Sequence, residues 1–252
     1  MKEETLLCFW AKLGKSAYSE RHPLICHMID VAMVAKQMWN SVLGPRVRQR
    51  VAKLLRLNED IAGCWLSFWV GGHDIGKAIP GFQCPIGTSQ QNYRDARKAL
   101  ESSGFDFPNV PQLSRKPHWV VTRCVLQDLL SGPQSWAGLD ATFARRVATA
   151  VGGHHGVFPA SFGGDLGGDV LGGPRWSRAR TTLLDSLAQV LRLPSGRPES
   201  PPEEAHWFFM FLAGLTSVAD WIGSNRRLFP SCAENVELAA YAQEAEGKAV
   251  RG

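Results

Sequence analysis

Residues 61–77 read IAGCWLSFWVGGHDIGK, and the architecture turns on them. From Ile61 to Val70 the side chains are apolar or small, the pattern of a buried helix that Asn58 or Asp60 can cap. Gly71 and Gly72 break the run, His73 and Asp74 follow side by side, and Gly76 and Lys77 close the segment. Two polar groups at the end of so apolar a stretch need partners, because burying them unsatisfied is costly. A hydrogen-bonded His–Asp pair in a turn is one solution. A metal ion is the other, since imidazole nitrogen together with carboxylate oxygen suits manganese, iron, cobalt, nickel or zinc.

Helical spacing recurs on both sides of this stretch. Pro23 suits the first turn of a helix that Gly44 can end, with Ile25, Met28, Ile29, Ala32, Ala35, Met38, Trp39 and Val42 at its apolar positions. Further helical patterns fit residues 46–57, 92–102, 116–130, 139–151, 175–193, 203–227 and 233–248. Few segments alternate with period two. The expected fold is therefore all-α, one helical domain over residues 1–252. Residues 158–174 hold Gly163, Gly164, Gly167, Gly168, Gly172 and Gly173 and predict a mobile flap near the site. LPSGRPESPP at 193–202 predicts a proline-rich connection, and 233–252 a terminal helix leading into a linker.

Composition narrows the class. Of 252 residues, 44% are hydrophobic and 20% charged, as in globular rather than disordered chains. A net charge of +5 leans mildly toward polyanionic partners such as nucleic acid or phosphate esters. Six cysteines without a CxxC pair suggest reduced, mostly buried thiols in a cytoplasmic protein rather than a disulfide framework. The start, MKEETLLCFW, lacks the character of a secretory signal. The most apolar stretch, 207–219, is shorter than the roughly 20 residues that span a bilayer, so it predicts a buried helix and no membrane.

The remaining ligand-type residues are scattered. His154 and His155 stand between Gly153 and Gly156, where a helix end lets both rings turn to one site. His27 lies inside the 23–44 helix among Met28, Ile29, Val31 and Val34, where a satisfied core histidine is the common case, with Asp30 a turn later as its partner. Asp220 follows the apolar 207–219 run and must be paired, protonated or metal-bound. His118, after Lys116 and Pro117, reads as the first residue of a helix, and His22 and His206 as structural or solvent-facing.

The order H…HD…H…HH…D over a helical domain resembles the HD-superfamily phosphohydrolases. LICHMIDVA at 24–32, HDIGK at 73–77, GHHG at 153–156 and ADWIGSN at 219–225 closely resemble the HD nuclease domain of the CRISPR-associated nuclease-helicase of type I systems. The resemblance covers nearly the whole chain. HDIGK and DWIGSN carry most of its specificity, while His118 is placed by order and spacing.

The resemblance implies a metal-dependent phosphodiesterase that cuts single-stranded DNA. It implies two divalent ions (manganese, iron, cobalt or nickel, with magnesium an option). His27, His73, Asp74 and Asp220 would hold one, and Asp74, His118, His154 and His155 the other, with Asp74 bridging. Two such ions activate a water and stabilise the leaving oxygen. Lys77 would offset charge on the phosphate, Ser217 would contact a ligand or the phosphate, and Arg226 and Arg227 would contact nucleic acid. Arg46, Arg50 and Lys53 share one helix face, which reads first as a solvated surface. The implied partners are a helicase domain, on this chain or another, and a CRISPR RNA-guided targeting complex. There is no GxxxxGK[ST] motif and no room for a motor, so the expectation is a stand-alone subunit or an excised amino-terminal domain. Two other readings remain: a nucleotide or cyclic-nucleotide phosphohydrolase of the superfamily, and a docking module with a degenerate site.

Overall fold

The computed structural model describes residues 3–14, 18–85, 90–107, 116–133, 135–158, 166–232 and 236–251. In chain order the helices are α1 (Glu3–Leu6), α2 (Leu24–Gln37), α3 (Pro45–Leu55), α4 (Glu59–Gly71), α5 (Pro80–Gln83), α6 (Gln91–Ser102), α7 (His118–Ser131), α8 (Ala141–Gly152), α9 (Gly168–Leu171), α10 (Pro174–Val190), α11 (His206–Gly223) and α12 (Leu238–Arg251). Beside them stands one antiparallel pair, β1 (Trp10–Lys12) and β2 (His22–Pro23), with Trp10 opposite Pro23 and Lys12 opposite His22. The all-α expectation holds.

Helix α2 is the axis of the domain. Every residue from Leu24 to Ala35 is buried, so it has no solvent face, and α4, α11 and α12 pack around it. Burying each large apolar side chain of such a helix contributes about 1.5–3 kcal/mol. Its end widens into a π-type turn over Met38–Val42. Helix α4 begins where Asn58 Oδ1 accepts the Ile61 amide at 2.8 Å, so Asn58 rather than Asp60 is its cap. Asp140 caps α8, accepting the Thr142 and Phe143 amides at 3.0 Å each. Helices α7 and α8 pack together, and α7 also covers the turn that follows α4.

Three expectations need correction. Helix α11 is not buried throughout: Met210 is 62% exposed and Trp221 73%, because only the side facing α2 and α8 is covered. Of the six cysteines only Cys26 is buried, the others being half-buried thiols, and none forms a disulfide. The helix expected over 203–227 starts at His206 and stops at Gly223. Of the glycine-rich segment, 159–165 lies outside the described residues, and the described part includes the short helix α9. Residues 233–235 of the expected terminal helix also lie outside them. No helix among the described residues is long and apolar enough to cross a membrane.

Candidate metal centre

Two 3-10 turns, the buried helix α2, the start of α7 and the end of α11 bring the ligand-type residues together. Gly72–Lys77 forms a 3-10 turn directly after α4, and all six of its residues are buried. Gly76 is required there by contact with α7: a Cβ at this position would collide with the His118 carbonyl and the Thr122 amide. In return Thr122 Oγ1 accepts the Gly76 amide at 3.0 Å. Gly153–His155 forms a second 3-10 turn at the end of α8, which Gly156 terminates at φ +78°, a left-handed conformation natural to glycine. Adjacent histidines that would diverge on a helix here have ring centroids 4.2 Å apart. Asp220 lies within α11, three residues before its end, and its Oδ1 accepts the Ser224 hydroxyl at 2.8 Å.

Asp74, 1% exposed, sits at the middle. Its two oxygens face different partners. Oδ2 lies 3.2 Å from His27 Nε2, 3.3 Å from His73 Nε2 and 2.5 Å from Lys77 Nζ. Oδ1 lies 3.3 Å from His118 Nε2 and 4.0 Å from His154 Nε2. Asp220 Oδ1 joins the first set, 3.3 Å from His27 Nε2 and 3.5 Å from His73 Nε2. His155 Nε2 joins the second, 3.2 Å from His118 Nε2. The sets adjoin, since the His73 and His154 rings are 4.9 Å apart.

The donor set fits divalent cations. His27 Nε2, His73 Nε2, His154 Nε2 and Asp74 Oδ1 are buried and have no hydrogen-bond partner. Leaving such atoms unsatisfied costs about 1–3 kcal/mol each, whereas ions in the two sets would satisfy all four. The ring orientation suits this. His73 Nδ1 donates to the Val70 carbonyl at 3.0 Å and His154 Nδ1 to the Val151 carbonyl at 2.9 Å, which turns each Nε2 inward. Groups of three ligand atoms within 4.8 Å of one another occur at His27, His73 and Asp74 and at His118, His154 and His155.

With no ion bound, the electrostatics differ from ring to ring. Burial pushes His118 down to about 4 and His154 to about 3, so both rings are neutral and free to donate at physiological pH. Burial also lowers His27. For His73 burial is outweighed by Asp74 and Asp220, which raise it to about 9. Burial disfavours the Asp74 carboxylate, but Lys77 and His73 hold its pKa well below the usual carboxylate range. Burial disfavours the Asp220 carboxylate too, but the neighbouring His27 and His73 hold its pKa low.

The other sequence expectations fare unevenly. The Ser217 hydroxyl reaches the His154 carbonyl at 2.8 Å and the Ala213 carbonyl at 3.0 Å, tying α11 to the histidine turn. Arg226 and Arg227 are exposed just past α11, and Arg46, Arg50 and Lys53 are exposed on α3. Asp30 is a correction. Its hydrogen bonds go not to His27 but to His22 Nε2 at 2.8 Å and the Tyr241 hydroxyl at 2.9 Å. His22 is accordingly a buried structural residue, while His206 is exposed.

Several supporting residues gave no sequence signal. Gln83 Nε2 donates to the Lys77 and Trp10 carbonyls at 2.9 and 3.0 Å, joining β1 to the HDIGK turn. Lys12 on β1 is half-buried near Asp220, Lys77 and Asp74, and burial lowers its pKa. Only the helical offset of four between Asp220 and Ser224 hinted at their bond.

The family described as "Cas3, HD domain" matches residues 10–229. The CRISPR-associated endonuclease/helicase Cas3 of Thermus thermophilus is 32% identical over 235 residues, which are 90% of this chain and 23% of that protein. A crystal structure of a CRISPR-associated protein superposes with a TM-score of 0.87 at 38% identity, covering 100% of this chain and 27% of the other. The Thermus thermophilus cas3 HD domain, solved in the presence of Ni2+, superposes with a TM-score of 0.68 at 28% identity, covering 99% of this chain and 89% of that one. The chain thus spans about a quarter of the length of the curated relatives it matches.

Proposed function

The chain belongs to the Cas3 HD-domain family, and from that premise we propose that it is a metal-dependent nuclease that cuts single-stranded DNA in CRISPR interference. The observation that carries this reading is the division of Asp74, with Oδ2 toward His27 and His73 and Oδ1 toward His118 and His154. His27, His73, Asp74 and Asp220 would hold one divalent ion, and Asp74, His118, His154 and His155 a second. Bound there, the ions supply Lewis-acid polarisation of the phosphodiester and an activated water.

The chain's own groups do the rest. The Val70 and Val151 carbonyls fix the His73 and His154 rings. Lys77, 9% exposed, offers its ammonium to charge that develops on the phosphate. Ser217 orients the histidine turn through the His154 carbonyl and would serve a bound phosphate. Arg226 and Arg227 supply cations for the strand beyond the scissile bond. A single strand can bend its phosphate into a recessed site, whereas a stiff duplex must first be opened. The partners of the reading are a helicase domain, on the same or a separate chain, and an RNA-guided targeting complex; a relative occurs in the structure described as "CRISPR RNA-guided surveillance complex, pre-nicking".

The test is cleavage of circular single-stranded DNA, blunt duplex and bubble DNA with manganese, cobalt, nickel or magnesium and without ATP. Cutting of the circle and of the bubble's unpaired region supports the reading. Efficient cutting of blunt duplex, or hydrolysis of free nucleotides with DNA left intact, rejects it.

A further inference from the structure

A cleft of about 450 Å3 opens on the outer side of α8, between α7 and α11, and nothing above assigns it a role. Arg123, Arg145, Thr149, Phe158, Phe209 and Met210 line it, with Arg146 at its floor. Among the described residues no carboxylate lines it. Arg146 is anchored: it donates to the Pro202 and Glu203 carbonyls at 3.2 and 2.9 Å and stacks on Phe209 at 4.0 Å. Arg145, by contrast, is exposed, and so are Phe158 at 44% and Met210 at 62%.

The cleft adjoins the backbone that carries two of the histidines. Arg123, Thr149 and Phe158 also line a smaller hollow whose other walls include Trp119, Gly152 and Gly153. Trp119 follows His118, and Gly153 precedes His154. The Phe158 ring lies directly against Gly153.

Cations without carboxylates, interleaved with exposed apolar rings, are the composition that holds single strands: the cations track phosphates, and rings stack on bases whatever the sequence. Resting on the nuclease reading, we infer that this cleft is a track for single-stranded DNA beside the metal centre, with Arg123 and Arg145 on phosphates and Phe158 under a base.

The experiment measures binding of a fluorescent oligothymidylate by anisotropy across a salt series, with chelator present to prevent cleavage. Arg145→Ala should weaken binding at low salt and reduce the slope of log affinity against log salt by about 0.7, the contribution of one phosphate on a single strand. Arg145→Glu should weaken it further, Phe158→Ala should weaken it about 5- to 150-fold, as loss of one stacked base does, and Lys98→Ala on α6 should bind as the wild type does. If the wild type binds with a steep salt dependence and both Arg145 variants keep its affinity and slope, the cleft is not the track, though the nuclease reading stands. If the wild type does not bind the strand at all, that reading itself has failed. A polyglutamate peptide that competes as strongly as DNA would give the cleft to an acidic protein partner and overturn the assignment.

Discussion

Lys77 Nζ lies 2.5 Å from Asp74 Oδ2, nearer to that oxygen than His27 at 3.2 Å or His73 at 3.3 Å. The lysine thus neutralises the central carboxylate when no cation does. A cation engaging the same oxygen would repel the ammonium, by about 4 kcal/mol for unit charges 4 Å apart near a protein surface. An incoming phosphate offers the displaced charge a new partner. Lys77→Ala should therefore keep its metal and lose turnover by about 100-fold, the order for removing one donor to a developing oxyanion. Elemental analysis beside single-turnover cleavage checks this, and loss of metal from the variant would assign Lys77 to the architecture of the turn.

Gly76 gives a prediction about packing. A methyl group there meets the backbone of α7, and overpacking of this kind typically costs about 1–3 kcal/mol. Gly76→Ala should lower the denaturant midpoint accordingly. Thr122→Val should lower it as well, because the buried Gly76 amide then loses its acceptor. Unchanged midpoints in both variants would mean that α7 does not press on the turn.

The His22–Asp30 pair predicts a pH dependence of stability. Burial opposes the charge on His22, but the hydrogen bond to Asp30, assisted by Cys232, raises its pKa above the ordinary 6.5. A raised histidine contributes its full stabilisation below the unfolded pKa and loses it as pH rises through the folded pKa. Wild-type stability should thus decline above about pH 6.5, more steeply than in His22→Gln, as thermal melts between pH 6 and 9 would register. Each tenfold gain in proton affinity is worth about 1.4 kcal/mol. Parallel profiles for the two proteins would remove the pair from the stability of the fold.

The residues that were legible in the sequence share one property: they are polar groups where the apolar pattern leaves no room for them. His73 and Asp74 follow the apolar helix α4, Asp220 interrupts α11, and glycines bracket His154 and His155. Their neighbours were not legible, because nothing in their own segments sets them apart. Gln83 and Ser224 are common residue types in ordinary surroundings, and Lys12 lies on a three-residue strand. Tertiary packing brings Gln83 and Lys12 to the site, while Ser224 follows Asp220 by one helical turn. Asp30 shows the limit most clearly: the offset of three from His27 suggested a local partner, yet β2 and α12 reach it first through His22 and Tyr241. The outer side of α11 failed for another reason. A continuous apolar run has no periodicity from which to tell Met210 and Trp221 from their buried neighbours.

The central claim is that Asp74 divides its two oxygens between two ions, and the metal content of purified variants tests it most directly. Wild type, His155→Ala and Asp74→Ala would be loaded with manganese or nickel, dialysed, and measured for ions per chain alongside cleavage of circular single-stranded DNA. The account predicts about two ions for the wild type, as a two-metal site requires. It predicts about one for His155→Ala and less than one, with no cleavage, for Asp74→Ala. An Asp74→Ala protein that keeps the wild-type ion content and still cuts DNA would contradict it.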